Sequence, residues 1–467
     1  MADDVALLPQ PRADEEGPEA MPSLLDFFSP LPTQVAVSEY RDQYVETQTP
    51  LGASTMINFK VQSDNNEVMD INRMLLVFEC KITQADGTDV AGGAGGRVIP
   101  VTGLGHAMFK NLVVRLNNVN ITGTDGLYLY RGDLAIRLSI PKDAQDQGSW
   151  SLAGWDFDDK DFDATALGDH HWLADDGARP ASYAWRRRYL KTRQSHVIRI
   201  VTPIFCDFFQ QARPLPPGVM VELSFEKSPD AFCLQTPLAN PQRFKIQLTS
   251  CKLLVRYLTI VPEILNRMLA IRDSGKRMLY PYLRRDFTYF TKPANTIDWS
   301  EPHVLQGRST ILPRRMFIMF INTNGFYGVY GRDPFRYKGD MLSSVSLRLA
   351  GQAKPYPEIH MNRDDQDVHE ALLSFLRSTN TLFTKENLGL NLGNYPLRSF
   401  IIGYDLAPSN ISSEVCMEMP DTRRPELHVR LHGGGAAEAH TLLVMSEIDA
   451  ELAIDNLGQV DNHDYAL

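Results

Sequence analysis

The chain has 467 residues, 43% apolar and 22% charged, and its 47 Lys and Arg against 57 Asp and Glu give a formal net charge of −10. These are the values of a soluble globular chain with room for two to three domains. They speak against a surface made to coat nucleic acid, which needs Lys and Arg in excess, and no apolar run approaches the ~20 residues needed to cross a bilayer.

Residues 1–22 predict a disordered acidic arm. Asp3, Asp4, Asp14, Glu15, Glu16 and Glu19 stand against Arg12, among prolines and with little to bury. A solvated tail and a docking strip for a basic partner or a neighbouring subunit both fit it. From Ser23 onward, strands are predicted at Ser54–Val61, Arg73–Thr83 and Lys110–Leu116, the last followed by an Asn117-Asn118 turn. Gly126–Ile140 has apolar residues at three- and four-residue steps and predicts a short helix. Pro141 to Gln194, rich in Asp, Gly, Trp and His and without a steady period, predicts a long surface insertion. Strands resume at Ser195–Phe208, Gly218–Glu226 and Phe244–Val261.

Glu263–Arg272 predicts a helical interlude. Beyond it, strands are predicted at Arg284–Thr291, Met316–Asn322, Leu342–Leu349, Arg398–Leu406, Leu427–Leu431 and His440–Ile454, with one helix at His369–Arg377. Strands, a helix and more strands thus occur twice, on either side of about residue 262. Short strands between Gly and Pro turns predict an all-β chain of two sandwiches rather than an α/β sheet. The expected units are 23–262 and 263–467, the second ending in a short tail.

A search for chemistry yields little. Gly275-Lys276 lacks the rest of a Walker motif, and Gly92–Gly96 lies between two strands with no helix after it, as a hairpin tip would. Asp156, Asp158, Asp159, Asp161 and Asp163, near His170 and His171, form the most site-like cluster. They lack the glycine and glutamate of an EF-hand and the histidine spacing of a zinc site, so a solvated acidic loop is expected, with no metal and no cofactor. Arg131-Gly132-Asp133 spells an integrin-attachment tripeptide but falls inside a predicted helix. Arg186-Arg187-Arg188, with Tyr189, Lys191 and Arg193, could hold a phosphate, serve nuclear import, or offset the acidic stretch before it. Cys80, Cys206, Cys233, Cys251 and Cys416 have no CxxC spacing and predict buried thiols in a reducing compartment. No signal peptide is expected, which makes the sequons at Asn120 and Asn410 incidental. Nothing in the spacing assembles a catalytic triad, and no catalytic residue is expected.

Two stretches resemble a known family, the double-jelly-roll (hexon-like) major capsid proteins of Polinton/Maverick elements, adintoviruses and adomaviruses. In Pro100–Pro141 the matching positions are His106, Phe109, Leu116, Asn117, Tyr128, Tyr130 and Arg131: a His and Phe before an apolar strand, an LNN turn, then YxYR opening a helix. In Pro203–Leu223 they are Asp207, Phe208, Gln210, Arg213, Leu215 and Gly218. The likeness continues through Phe244–Val261 and, more weakly, through Phe320–Asp333 and Leu372–Leu376. Pro216-Pro217 departs from the family's Leu-Asn, and the acidic arm has no counterpart in it.

The resemblance implies two eight-stranded jelly rolls. It also implies a pseudo-hexagonal homotrimer that tiles an icosahedral shell around double-stranded DNA. Its partners would be neighbouring capsomers and penton or minor capsid proteins, with no direct sequence-specific nucleic acid binding. Its place would be the virion, after assembly inside the host cell, in the nucleus. The insertion would form the outer tower, with Trp150, Trp155, Trp172, Tyr183 and Trp185 as subunit-contact anchors. Two other readings stand beside it. One is a paired-jelly-roll carbohydrate-active enzyme using carboxylates of the Asp156–Asp163 region; the other is a minor capsid or lectin-like binding protein, which needs only one sandwich.

Overall fold

In the computed structural model the described residues are 34–464, except 53, 93–95, 123–125, 157–182, 239–240, 306–310, 350–356, 362–366, 385–387, 409–420 and 432–437. The acidic arm, the middle of the long insertion, the tip of the Gly92–Gly96 run and Cys416 lie outside them.

Alternating burial builds the first sandwich. β1 (Val37–Glu46), β2 (Met56–Gln62), β3 (Glu67–Gln84), β4 (Phe109–Leu116), β5 (Val119–Asn120), β6 (Ile198–Pro203), β7 (Met220–Lys227) and β8 (Phe244–Ile260) form two sheets, ordered β1-β8-β3-β6 and β2-β7-β4-β5. Along β3, Met74, Leu76, Phe78, Cys80 and Ile82 are buried while the residues between them are half-buried, the period-2 signature of a strand with one face on a core. A register shift between Leu248 and Ser250 lets β8 carry both Phe244 and Cys251, Leu253, Val255 and Tyr257 inward, as a bulge does. Phe78, Phe109 and Phe225 form the aromatic centre, with ring centroids 5.7 and 5.0 Å apart.

The second sandwich repeats the first. β9 (Met278–Lys292), β10 (Asp298–Glu301), β11 (Arg315–Asn322), β12 (Leu342–Leu349), β13 (Ile359–His360), β14 (Ile401–Asp405), β15 (Pro425–Leu431) and β16 (His440–Ile454) pair as β9-β16-β11-β14 and β10-β15-β12-β13. Adding eight to each strand number of the first pair of sheets reproduces the second pair. A further strand, β17 (Val460–Asp464), returns along β16.

Helices punctuate both halves: α1 (Leu104–Ala107), α2 (Tyr128–Ser139), α3 (Tyr183–Thr192), α4 (Pro262–Asp273) and α5 (His369–Ser378). α2 and α5 each join the fifth and sixth strands of their own sandwich, and α4 links the sandwiches. Among the described residues no helix is long and apolar enough to cross a membrane.

Several expectations need correction. The strand expected over Ser195–Phe208 ends at Pro203, and Asp207–Gln210 makes a 3-10 turn instead. The insertion is not irregular where it is described, since Lys142–Gln147, Ser149–Ala153 and α3 are helical. β1 escaped the sequence reading because eight of its ten residues are exposed, which leaves no apolar alternation to detect. β5 and β13 are two residues long and carry no period at all.

α2 shows how tightly the packing fixes residue identity. A Cβ on Gly132 would stand 2.4 Å from the Cβ of His106 and 3.0 Å from Phe205 Cδ2. The middle residue of the RGD tripeptide is therefore a glycine because a histidine lies against it. Gly132→Ala should cost about 1–3 kcal/mol by overpacking, despite alanine's better helix propensity. A denaturant melt reads the change; equal or higher stability would refute the close contact.

Candidate functional site: the seam between the two sandwiches

Most of the motif residues singled out in the sequence converge on the surface where the first sandwich meets the second. After β6 the chain turns through Asp207–Gln210 and lays Phe208 against Tyr280 and Tyr282 of β9, with ring centroids 5.7 and 5.6 Å apart. The Tyr280 hydroxyl donates to the Pro214 carbonyl at 3.2 Å, and Arg213 Nη1 donates to the Leu279 carbonyl. Leu215 is fully buried and bridges to Met69 of β3 by a reciprocal pair of backbone bonds. Gly218 holds a left-handed φ of 84° in open space, so it serves the turn into β7 rather than a close approach.

Charge runs through the same contact. Arg131 of α2 donates to Asp207 Oδ2, which also accepts the backbone N–H of Arg285 in β9 at 2.9 Å. Arg285 gives Nη1 to Gln210 Oε1 at 3.1 Å and Nε to Glu447 Oε1 of β16 at 3.0 Å. Glu447 Oε2 accepts Arg315 Nε of β11 at 2.6 Å, and Arg315 Nη1 reaches the Ser378 carbonyl at the end of α5. Arg131 also lies over the Phe287 ring at 5.0 Å. Glu447 is wholly buried. Burial works to raise its pKa, but Arg315 and Arg285 outweigh it and hold the carboxyl below the usual glutamate range.

α2 carries a second set of contacts. Tyr130 stacks on Phe326 at 5.4 Å and 9°, and its hydroxyl donates to the Pro334 carbonyl at 3.3 Å. Asp133 is buried and accepts the Tyr337 hydroxyl at 2.5 Å and Arg137 Nε at 2.8 Å. Burial pushes its carboxyl up, against the pull of Arg137 and Tyr337. Arg137 also bonds Ser399 Oγ and the Phe335 carbonyl. Tyr128 stays within the first sandwich, where its hydroxyl accepts the Phe205 N–H at 3.4 Å. Asn117 and Asn118 both take positive φ, 46° and 69°, in the turn joining β4 to β5. The Asn117 amide then crosses to the second sandwich, donating to the Gly458 carbonyl at 2.7 Å.

His106 sits where these contacts meet. It is fully buried, with ring centroids of Phe335, Phe205 and Trp155 at 5.2, 5.7 and 6.0 Å. Burial, with Arg137 nearby, lowers its pKa from 6.5 to about 3. Phe109 and Leu116 are plain core residues. Sequence reasoning placed a strand at Arg284–Thr291, within β9, but did not mark Tyr280, Tyr282, Phe335, Tyr337 and Glu447 as the other side of the seam, because none belongs to a local motif.

Other sequence candidates fall elsewhere. Trp155 and Trp185 were expected as subunit anchors and are instead buried within this chain, Trp155 between His106 and Arg137. Trp150 is half-buried and stacks on Phe205, Tyr183 is exposed, and Trp172 lies outside the described residues. The RGD tripeptide is internal, with Arg131 on Asp207 and Asp133 on Tyr337. Asp156, the described member of the acidic cluster, is buried and paired with Arg187 of the basic run. Cys80, Cys206, Cys233 and Cys251 are free and buried; burial pushes Cys80 and Cys206 up to about 12. Among the described residues no group of three or more His, Cys, Asp or Glu is placed to hold a metal.

No family model matches the sequence. An uncharacterized protein of Caenorhabditis elegans is 20% identical over 392 residues, spanning 80% of this chain and 86% of its own length. Among solved structures, a chain of the Sputnik virophage matches with a TM-score of 0.60 at 11% identity, over 99% of this chain and 95% of that one. PBCV-1 VP54, as fitted into a reconstruction of the same virophage, gives 0.54 at 10% identity over 94% and 100%, and the Faustovirus major capsid protein gives 0.52 at 9% over 92% and 94%. The fold is a double jelly roll. Each sandwich is one roll, and the seam welds roll to roll.

Two outcomes test the seam. Glu447→Gln keeps the shape but leaves Arg285 and Arg315 facing a neutral group in a buried site, and it should cost about 3–5 kcal/mol; a loss below 1 kcal/mol in a denaturant melt would remove the carboxylate from the frame. His106 links the seam to pH. Its folded pKa lies below the unfolded one, so the unfolded chain binds a proton that the folded chain refuses. The stability of the neutral ring is complete above about pH 6.5 and is lost as pH falls toward 3. One such proton gives a slope of about 1.4 kcal/mol per pH unit. His106→Leu should flatten the stability profile between pH 6 and 4 by about that much; an unchanged slope would count against a neutral buried ring.

Proposed function

We propose that this chain is a hexon-like major capsid protein, whose homotrimers tile an icosahedral shell around double-stranded DNA. The observation that carries the reading is the repeat of one strand order in two rolls, in a chain alike along nearly its whole length to a virophage chain and the Faustovirus major capsid protein. Two near-equivalent rolls per copy make six per trimer, which suits a hexagonal tile. We read residues 23–262 and 263–467 as the two units, joined at α4, which fits the division of strands between the sheets.

The net charge of −10 favours a shell component over a DNA-condensing one, with packaging left to other proteins. Neighbouring capsomers and penton or minor capsid proteins would be the partners, and the virion the destination, after assembly in the host nucleus. The motif residues of the seam resemble those of Polinton-type capsid proteins, and the nematode relative suits a gene carried by an integrated element.

Light scattering and negative-stain microscopy of the purified chain test the reading together. Three chains per particle and hexagonal outlines are expected; a particle of one chain at micromolar concentration would overturn it.

A further inference from the structure

The two rolls share a strand order but differ on the outer face of their second sheets. In β12, Val345, Leu347 and Leu349 point into the core of roll two, so Ser344, Ser346 and Arg348 face outward. β15 runs along one side, with Ser344 opposite Arg430, Ser346 opposite His428 and Arg348 opposite Glu426. Beyond β15, Asp298 and Ser300 of β10 stand opposite Arg430 and His428. On the other side β13 pairs Ile359 with Val345, which brings Glu358 alongside, and the Ser344 hydroxyl donates to Glu358 Oε1 at 2.5 Å.

Two small side chains in the middle of a sheet, among long ones, leave a hollow. Ser344 and Ser346 form the floor of a cavity of about 360 Å³, walled by Arg348, His428, Arg430 and Glu358. That volume lies within the range of small-molecule sites, ~300–1,000 Å³. A serine on the outer face of a sheet is ordinarily exposed, yet Ser344 is 5% exposed and Ser346 3%. Among the described residues the Ser346 hydroxyl and the Arg348 guanidinium have no hydrogen-bond partner. The fold does not demand this arrangement. β4, the strand of roll one in the place of β12, puts Asn111, Val113 and Arg115 on the same face, and Lys60 there pairs with Glu222 at 3.6 Å.

The charges decide what kind of ligand fits. Two guanidinium groups, Arg348 and Arg430, stand among three carboxylates, Asp298, Glu358 and Glu426, and Arg430 Nε is already bonded to Asp298 at 2.8 Å. An anion would meet an excess of negative charge, and a metal cation would meet two fixed positive ones. A floor and wall of polar groups suit an apolar ligand no better. The cavity instead sets donors beside acceptors: the Ser346 hydroxyl, Arg348 and His428 next to Glu358 and Asp298. An uncharged ligand dense in hydroxyl groups, each both donor and acceptor, matches that set.

We propose that the outer face of the β10-β15-β12-β13 sheet is a binding site for a neutral saccharide, with Ser346 and Arg348 as its central contacts and Glu358 accepting a sugar hydroxyl. The site lies within one roll of one chain, so it does not depend on the capsomer reading.

Saturation-transfer NMR on the full chain tests it, with the methyl glycosides of glucose, galactose, mannose and N-acetylglucosamine as probes. At least one should bind with a Kd of about 1 mM, as suits a single sugar ring held by a few hydrogen bonds. Ser346→Leu, which fills the floor of the cavity, should abolish the transfer, and Arg348→Ala should weaken binding about tenfold. Arg115→Ala, on the matching face of roll one, should change nothing. No transfer from any of the four at about 20 mM would overturn the proposal, and so would equal binding by wild type and Ser346→Leu. Transfer from N-acetylneuraminic acid alone would reveal an anion site and overturn it as well. Amide exchange on the wild type covers the case in which a variant fails to fold. Residues 342–349 and 425–431 should exchange more slowly with the glycoside bound, and unchanged rates would refute the location.

Discussion

Glu447, buried between Arg285 and Arg315, is the interaction on which the rest of the molecule's shape depends. Each of its partners lies on a different strand of the second roll, and Arg285 reaches on to Asp207 and Gln210 of the first. A buried carboxylate between two guanidinium groups adds little net stability over an apolar core, because desolvation offsets most of the attraction. What it adds here is position. The apolar flanks of two β-sandwiches can slide against one another at small cost, whereas a shift of a few ångströms would strand a buried charge. The aromatic contacts of Phe208 and Tyr130 supply the area, and the ionic chain fixes the register.

That division of labour explains why the motif residues are so mixed in chemistry. Asp207 and Gln210 meet Arg285, Phe208 packs on Tyr280 and Tyr282, and Arg213 bonds the Leu279 carbonyl, so each meets its own part of β9. Gly132 and His106 depend on one another through van der Waals contact alone. The same packing disposes of the attachment tripeptide: its arginine and aspartate are both engaged at the seam, so its sequence reflects helix packing and not recognition by a receptor.

Much of this was legible in the sequence. Strands with one face on a core announced themselves by alternation, as β3 and β8 did, and the doubled order of strands and helix gave the architecture. The local motifs marked one side of the seam because LNN, YxYR and DFFQQAR are contiguous. Their partners were invisible for a physical reason: Tyr280 meets Phe208 from 72 residues away, Tyr337 meets Asp133 from 204 and Glu447 meets Arg285 from 162, and nothing local to them differs from ordinary sequence. Trp155 and Trp185 misled for a related reason. Aromatic residues in a polar insertion look like exposed anchors until the helices that bury them are placed. β1 was missed because a strand without a buried face has no period.

The way the two rolls are joined also bears on the proposed capsomer. In the proposed capsomer each copy would contact the next head to tail, and repetition of such a contact gives either an open filament or a closed ring. Which one forms depends on the angle between the two rolls inside each copy, since that angle sets the rotation from one copy to the next. A loose seam would let the angle vary and the chain of copies run on. The charges at Asp207 and Glu447, joined through Arg285, the stacked Tyr130 and Phe326, and the Asn117 amide bonded to Gly458 tie the rolls together through three different sets of residues. In the proposed capsomer, the stiffness of the intrachain seam is thus the property that would favour a closed ring over a fibre.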